Sequence, residues 1–520
     1  MRPRDAAHAA GTEVDPVRLE VFNTLFMSVA ERMGATLANT AQSVNIRERL
    51  DFSCAIFTEG GDLVANAPHV PVHLGSMSEA VRTIRAAHPG MAPGDVFMTN
   101  DPAAGGTHLP DITVITPVFA DGRVAFLVAS RGHHADVGGT TPGSAPPDSC
   151  RLEEEGVVVP DHMLCAAGTF REAETRALFD GAAYPARNTD TNVADLKAQV
   201  AANATGAAEL AQLVERYGLE VVQAYMGHVQ ANAEAVVRDL LGRLEDGRFR
   251  HEMDSGAAVE VAVTVDRDRG RAVIDFAGTS AQSPTNYNAP PAITRAVCLY
   301  VFRCLVGAPI PMNEGCLAPL DIRIPEGCFL NPAPGAAVIA GNTEVSQAVA
   351  EALFGALGAM AGSQGTMNDF VWGTDAFQNY ETVAGGAGAG PGWHGASAVH
   401  THMTNTRMTD PEVLEARFPV HVTRMAIRRG SGGAGAWRGG CGMERELTAL
   451  APMEVTVLSS NRRTRPAGLD GGEPGASGEN LVRRAGGREE HLKGNDRTRL
   501  ASGDSFVMRT PGGGGCGEAR

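Results

Sequence analysis

Residues 111–134, DITVITPVFADGRVAFLVASRGHH, set two apolar runs on either side of Asp121-Gly122. An Asp-Gly pair supplies the positive backbone dihedrals of a two-residue β-turn, and β-branched residues crowd both arms. The stretch predicts a hairpin with strands over 112–119 and 123–130. With Ala120 paired to Arg123, counting outward sets Asp111 opposite Gly132 and Pro110 opposite His133. The open end of the ribbon then gathers His108, Asp111, His133, His134 and Asp136, with glycines on both sides. Two imidazoles with one or two carboxylates suit a divalent ion such as Mn²⁺, Zn²⁺ or Fe²⁺, with positions left for water or substrate. A solvated loop with ordinary hydrogen-bonded histidines is the competing reading, and the independent turn signal sets a metal site beside it as an equal. Which of His133 and His134 points inward stays open, since one bulge reverses the faces of a strand.

Around this ribbon the patterns alternate between helix and strand. Apolar spacing near 3.6 after Asp15-Pro16 predicts a helix over 15–40, and DFSCAIFTEGGDLVANA predicts two strands about a Gly60-Gly61 turn. SMSEAVRTIRAAHP reads as a helix capped by Ser78 and stopped by Pro89. Residues 193–246 carry helical periodicity in two segments broken near Gly218, and 259–280 alternates about Arg269-Gly270 as a hairpin. Helices are also expected over 293–306 and along NTEVSQAVAEALFGALGAM. Beyond 395, glycines and short strands dominate, and the glycine clusters read as turns. The expectation is an α+β (mixed α/β) chain: a mixed, β-rich region over 1–190 with the candidate site, a helical region over 191–250, mixed hairpin and helices over 251–395, and a glycine-rich β region over 396–520.

At 520 residues the length suits about three domain-sized pieces. A formal net charge of -16 argues against nucleic acid or an anionic membrane surface as partner. The nine cysteines form no CxxC pair, which excludes a zinc ribbon and suits reduced thiols. MRPRDAAHAAGTEVDP lacks an apolar core for a secretory signal, and AVCLYVFRCLV is too short to span a bilayer, so a cytoplasmic protein is expected.

Several motifs fail on mechanism. Gly430-x-Gly432-x-x-Gly435 and Gly512-x-Gly514-x-x-Gly517 match a dinucleotide fingerprint, but neither opens a helix that could receive a pyrophosphate. Neither Lys197 nor Lys493, the only lysines, follows a phosphate-binding glycine loop, and no G-x-S-x-G elbow is present. His69 and His73 flank Pro71, which disfavours a helix there; on a strand they stand roughly 13 Å apart, so only His73 is kept as a candidate site residue.

NIRERLDFSCAIF, VPVHLGSM, TNDPAAGGTHLPDITVITPVF, RGHHADVGG, GNTEVSQAVAEALFG, NTRMTDPEVLEARFP, SGGAGAWRGGCG and TPGGGGCG together resemble the hydantoinase B/oxoprolinase family, from about Asp15 to Gly517. The resemblance implies a hydantoinase B-like fold acting with a hydantoinase A-type ATPase partner that holds ATP. It implies ATP-dependent opening of 5-oxoproline, N-methylhydantoin or a related lactam, with ketone carboxylation or a non-catalytic scaffold as alternatives. It also implies one divalent metal on His108, Asp111 and His133, with Asp51 as a fourth ligand. Glu48 or Asp136 would then take a proton during hydrolysis.

Overall fold

Helix α1 (Pro16–Thr40) starts where Asp15 accepts a hydrogen bond from Arg18 N at 2.8 Å and Pro16 fills the first turn. The computed structural model that shows this describes residues 11–67, 69–307 and 310–519; the first ten residues of the charged N-terminal stretch lie outside them. Seven strands follow: β1 (Phe52–Thr58), β2 (Leu63–Asn66), β3 (Val96–Thr99), β4 (Asp111–Ala120), β5 (Arg123–His133), β6 (His162–Ala166) and β7 (Thr169–Phe170). They form one sheet in the order β2-β1-β5-β4-β3-β6-β7, with the predicted hairpin at its centre.

Both faces of this sheet are covered. The helices after α1 are α2 (Val44–Arg47), α3 (Pro71–Ala87), α4 (Glu172–Asp180), α5 (Thr189–Tyr217) and α6 (Leu219–Leu241). On one face Phe22, Phe26 and Met33 of α1 pack with α5 and α6 residues against Ile56 and Val128. On the other, Met77, Val81 and Ile84 of α3 pack against Phe57, Ile115 and Leu127. Gln199 and Asn203 on α5 donate to the strand carbonyls of Ile112 and Val114, both at 2.9 Å. The predicted central helices are therefore a cover for the N-terminal sheet.

Two local expectations need correction. Helix α3 begins at Pro71, seven residues before the predicted cap. A proline in the first helical turn loses nothing, because that N–H has no intrahelical acceptor anyway. His73 therefore sits in the first turn of a helix. The hairpin register also differs by one: Asp111 pairs with His133, because Val118 pairs with Phe126 while Phe119 pairs with Val124. Ala125 is the extra residue of a bulge, and every pair beyond it moves by one.

The middle of the chain supplies α7 (Pro291–Val306) and α8 (Ser346–Ala356) against a second sheet of β8 (Gly247–Glu252), β9 (Ala258–Asp266), β10 (Arg271–Asp275) and β11 (Leu320–Arg323). A buried π-helical turn, Gly341–Val345, leads into α8. The remaining strands are β12 (Asp369–Gly373), β13 (Gln378–Thr382), β14 (Val420–Ile427), β15 (Met443–Ala449), β16 (Met453–Leu458), β17 (Glu479–Arg483), β18 (Glu489–Leu492), β19 (Asp496–Leu500) and β20 (Ser505–Arg509). They make a sheet β13-β12-β16-β19 and a sheet β14-β15-β20-β17-β18. The first of these takes strands from both sides of residue 395, so the boundary expected there divides one sheet.

Most of the glycine clusters are not turns, although Gly472 N closes one onto Leu469 O at 2.9 Å through Asp470 and Gly471. Segments around 361–364, 385–390, 431–442, 466–475 and 511–517 run side by side and bond backbone to backbone, as in Gly513 N to Gly440 O at 2.9 Å, Gly433 N to Gly513 O at 2.8 Å and Gly514 N to Gly362 O at 2.7 Å. A Cβ on Gly513 would lie 2.0 Å from Ala387 O, and one on Gly439 would lie 1.9 Å from Gly513 O. Glycine is required there because the chains touch where side chains would stand. Turn glycines and bundle glycines share a composition, so the sequence pattern did not separate them. Among the described residues no helix is long and apolar enough to cross a membrane.

Candidate metal centre

Five segments of the N-terminal part each bring one group to the same place. Asp111 opens β4 and His133 closes β5, so the register sets them side by side across the ladder. His108 comes from the loop before β4, and Asp51 from the residue before β1, where its carbonyl accepts His133 N at 3.0 Å. His73 reaches in from the first turn of α3, with Nε2 at 3.0 Å from Asp111 Oδ2. His108 Nδ1 is also 3.0 Å from Asp111 Oδ2, and His133 Nδ1 is 3.3 Å from Asp111 Oδ1 and 3.9 Å from Asp51 Oδ2. All five side chains are buried.

These buried atoms are close but unsatisfied. Among the described residues, both ring nitrogens of His108, Nε2 of His133 and Oδ1 of Asp111 have no hydrogen-bond partner. The short His108–Asp111 distance thus lacks the alignment of a hydrogen bond. Buried polar groups left this way are costly unless something else takes their lone pairs. One donor atom each from His108, Asp111 and His133 lies within 4.8 Å of the others. Atoms about 2.1 Å from a shared ion stand about 3.4 Å apart around a tetrahedron, so modest closure accommodates one. The residues fit a divalent metal.

The surroundings favour a cation too. Burial pulls His108 down, yet Asp111, then Asp51 and Asp369, outweigh it and leave the imidazole raised. Burial pushes Asp111 up, but His108 and His73 hold it well below the usual carboxylate range. His133 is lowered, chiefly by burial. Nearby, burial raises Glu155 to about 7 and Asp369 to about 6. Burial and then the charge of Asp369 raise Glu344, on the π-helical turn, to about 8. Asp51, Asp111, Glu155, Glu344 and Asp369 make this interior acidic.

The other expected site residues are elsewhere. Asp136 accepts from Gly138 N and Gly143 N and pairs with Arg187 at 3.0 Å, so its carboxylate holds a loop. Glu48 is partly exposed and faces Arg47 and Arg417 at 3.8 and 3.9 Å. Neither is brought to the cluster; of the three residues expected beside the metal ligands, only His73 is. His134 points away, held by Gln199 Oε1 at 3.1 Å and Asn192 Nδ2 at 3.2 Å. His69 accepts Cys54 N through Nδ1 at 2.9 Å.

Three residues were missed. The ring of Tyr380, on β13, stacks on His133. Asp369 accepts the Tyr380 hydroxyl, and Arg49 lies over the Tyr380 ring. No spacing links Tyr380 or Asp369 to the hairpin, and Arg49 is near it in sequence only through Asp51.

A model of the hydantoinase B/oxoprolinase family matches residues 15–519. The chain belongs to this family. It is 46% identical to 5-oxoprolinase 1 of Arabidopsis thaliana across 97% of its own length, but covers 42% of that protein. The chain thus spans about two fifths of the length of such curated relatives. Its fold is similar to that of the ATP-dependent caprolactamase from Pseudomonas jessenii, at TM-score 0.85 and 26% identity over 97% of this chain and 91% of that one. A nucleotide-free acetone carboxylase shares the fold at TM-score 0.85 and 19% identity, over 97% of this chain and 76% of that one. The hydantoinase B-like α+β architecture expected from the sequence is the one observed.

Proposed function

We propose that this chain is the metal-bearing hydrolytic part of an ATP-dependent cyclic amidohydrolase of the 5-oxoprolinase or N-methylhydantoinase type. It would act in a cytoplasmic setting with a hydantoinase A-type ATPase that binds ATP. The observation that carries this reading is the convergence of orphaned nitrogen and oxygen atoms from His108, Asp111 and His133, with Asp51 beside them, in a buried, carboxylate-rich interior. The likeness to a 5-oxoprolinase and to a caprolactamase supports a cyclic amide as the substrate class.

A lactam or imide resists attack through amide resonance, so phosphorylation of its carbonyl oxygen on the ATPase would activate it. A divalent ion, if held by His108, Asp111, His133 and Asp51, would supply a Lewis acid and water of lowered pKa. The chain's own groups then orient and shield. His73 and Thr107 each hold Asp111 Oδ2, at 3.0 and 2.7 Å, which fixes the carboxylate. Burial of the cluster keeps bulk water from the activated carbonyl. We assign to the imidazole of His73 the proton that the ring nitrogen gains when the C–N bond breaks, the phosphoryl group leaving as inorganic phosphate.

The test is co-expression with an A-type partner and measurement of phosphate release against open-chain product. Asp111→Asn should leave substrate-dependent ATP cleavage partly intact while stopping ring opening. Loss of both in strict proportion would count against two separate sites, and a carboxylated ketone as product would replace the hydrolase reading.

A further inference from the structure

Among the described residues, none outside the cluster hydrogen-bonds to the ring of His133. Its Nε2 is without a partner, and its Nδ1 faces only Asp111 and Asp51, which belong to the cluster. A ligand histidine ordinarily has its plane fixed by a hydrogen bond from the second ring nitrogen to a carboxylate or carbonyl. Here something else fixes it. The Tyr380 ring lies against the imidazole with centroids 4.5 Å apart and planes within 13°.

Tyr380 is itself held at both ends. Its hydroxyl donates to Asp369 Oδ1 at 2.8 Å across the β12–β13 hairpin. Its carbonyl accepts from Arg49 Nη1 at 2.5 Å, and the Arg49 guanidinium lies 4.7 Å from the ring centroid. Tyr380, Asp369 and Arg49 are all buried. A tyrosine has only two side-chain torsions, so binding its tip and its backbone leaves the ring little freedom. The C-terminal sheet thus lays a fixed plate on a histidine of the N-terminal sheet.

We propose that Tyr380, anchored by Asp369, is a positioning residue that sets the orientation of the His133 imidazole toward the ion of the cluster. This rests on the metal reading above. Stacking takes the place of the missing outer hydrogen bond. It leaves both ring nitrogens of His133 free of any hydrogen-bond acceptor outside the cluster.

The test is Co²⁺ titration of the full-length chain, followed by visible absorption and by competition with a chelator. Tyr380→Leu should bind Co²⁺ about 10- to 100-fold more weakly, with a changed band shape. Tyr380→Phe, which keeps the ring and loses the anchor, should fall between it and the wild type, and carries the comparison if the leucine variant does not fold. Asp369→Asn keeps an acceptor and should restore near-wild-type affinity, whereas Asp369→Leu should match Tyr380→Phe. Wild-type affinity and spectrum in Tyr380→Leu and Asp369→Leu would overturn the proposal, even with a lowered melting temperature, since that pattern marks packing alone. A wild-type chain that takes up no Co²⁺ overturns the metal reading itself and this proposal with it.

Discussion

Asp111 and His133 are direct partners across β4 and β5 because Ala125, near the other end of the same hairpin, is left unpaired in a bulge. Without that residue Asp111 would face Gly132. The bulge therefore decides which histidine of the His133-His134 pair enters the acidic cluster.

Substituting the two adjacent histidines should separate their roles. His133→Ala is expected to remove the metal, read by elemental analysis. His134→Ala should retain it but lose about 1–3 kcal/mol of stability, because Gln199 and Asn192 lose a buried partner. Equal metal loss in both variants would contradict the observed faces.

His108 is buried, yet neither of its ring nitrogens makes a hydrogen bond. His108→Ala in the metal-free chain should therefore change the unfolding free energy by no more than about 2 kcal/mol. Metal retention should vanish in the same variant. Denaturant titration with and without chelator checks both, and a variant that keeps its metal would remove His108 from the ligand set.

Glu344, raised from 4.5 to about 8, binds its proton more tightly in the folded chain than in the unfolded one. Its contribution to stability is full below about 4.5 and is lost as pH rises through about 8. Glu344→Gln keeps an acceptor for Met367 N and Thr366 Oγ1 and removes the titration. The metal-free variant should lose less stability than wild type between about pH 5 and pH 8, by at most about 1.4 kcal/mol per pH unit. Parallel stability–pH curves would show that Glu344 is already ionised.

Gly513→Ala would drive a methyl into Ala387 O, at 2.0 Å. A carbonyl in a hydrogen-bonded bundle cannot step aside, so a loss of about 3 kcal/mol or more, or insoluble protein, is expected. Gly486→Ala, with no atom within 4 Å, should stay within about 0.5 kcal/mol of wild type. Thermal melts of the two variants make the comparison.

The helices and the central hairpin were legible because hydrophobic period and turn chemistry are local. The Asp121-Gly122 turn predicts the ribbon, and with it the meeting of His108 and Asp111 with one histidine of the His133-His134 pair. The pairing slipped by one because a bulge residue such as Ala125 carries no mark of its own. Pro71 was read as a breaker when its place in the first turn makes it an initiator. Asp136 was drawn to the cluster by its nearness in sequence, but two glycine N–H groups and Arg187 had a stronger hold on it. Tyr380 and Asp369 reach the site only through long-range packing of two sheets, which no short window of residues encodes.

The glycine bundle also bears on how this protein responds to temperature. Most of what unfolding would expose there is peptide group, and exposing polar surface lowers the heat capacity while apolar surface raises it. A calorimeter should thus find a heat capacity increment per residue below the usual 12–15 cal/mol/K, roughly speaking, for the whole chain. A small increment flattens the curve of free energy against temperature. Rods of bare backbone would then lend the C-terminal third a cohesion that neither cooling nor moderate warming erodes quickly.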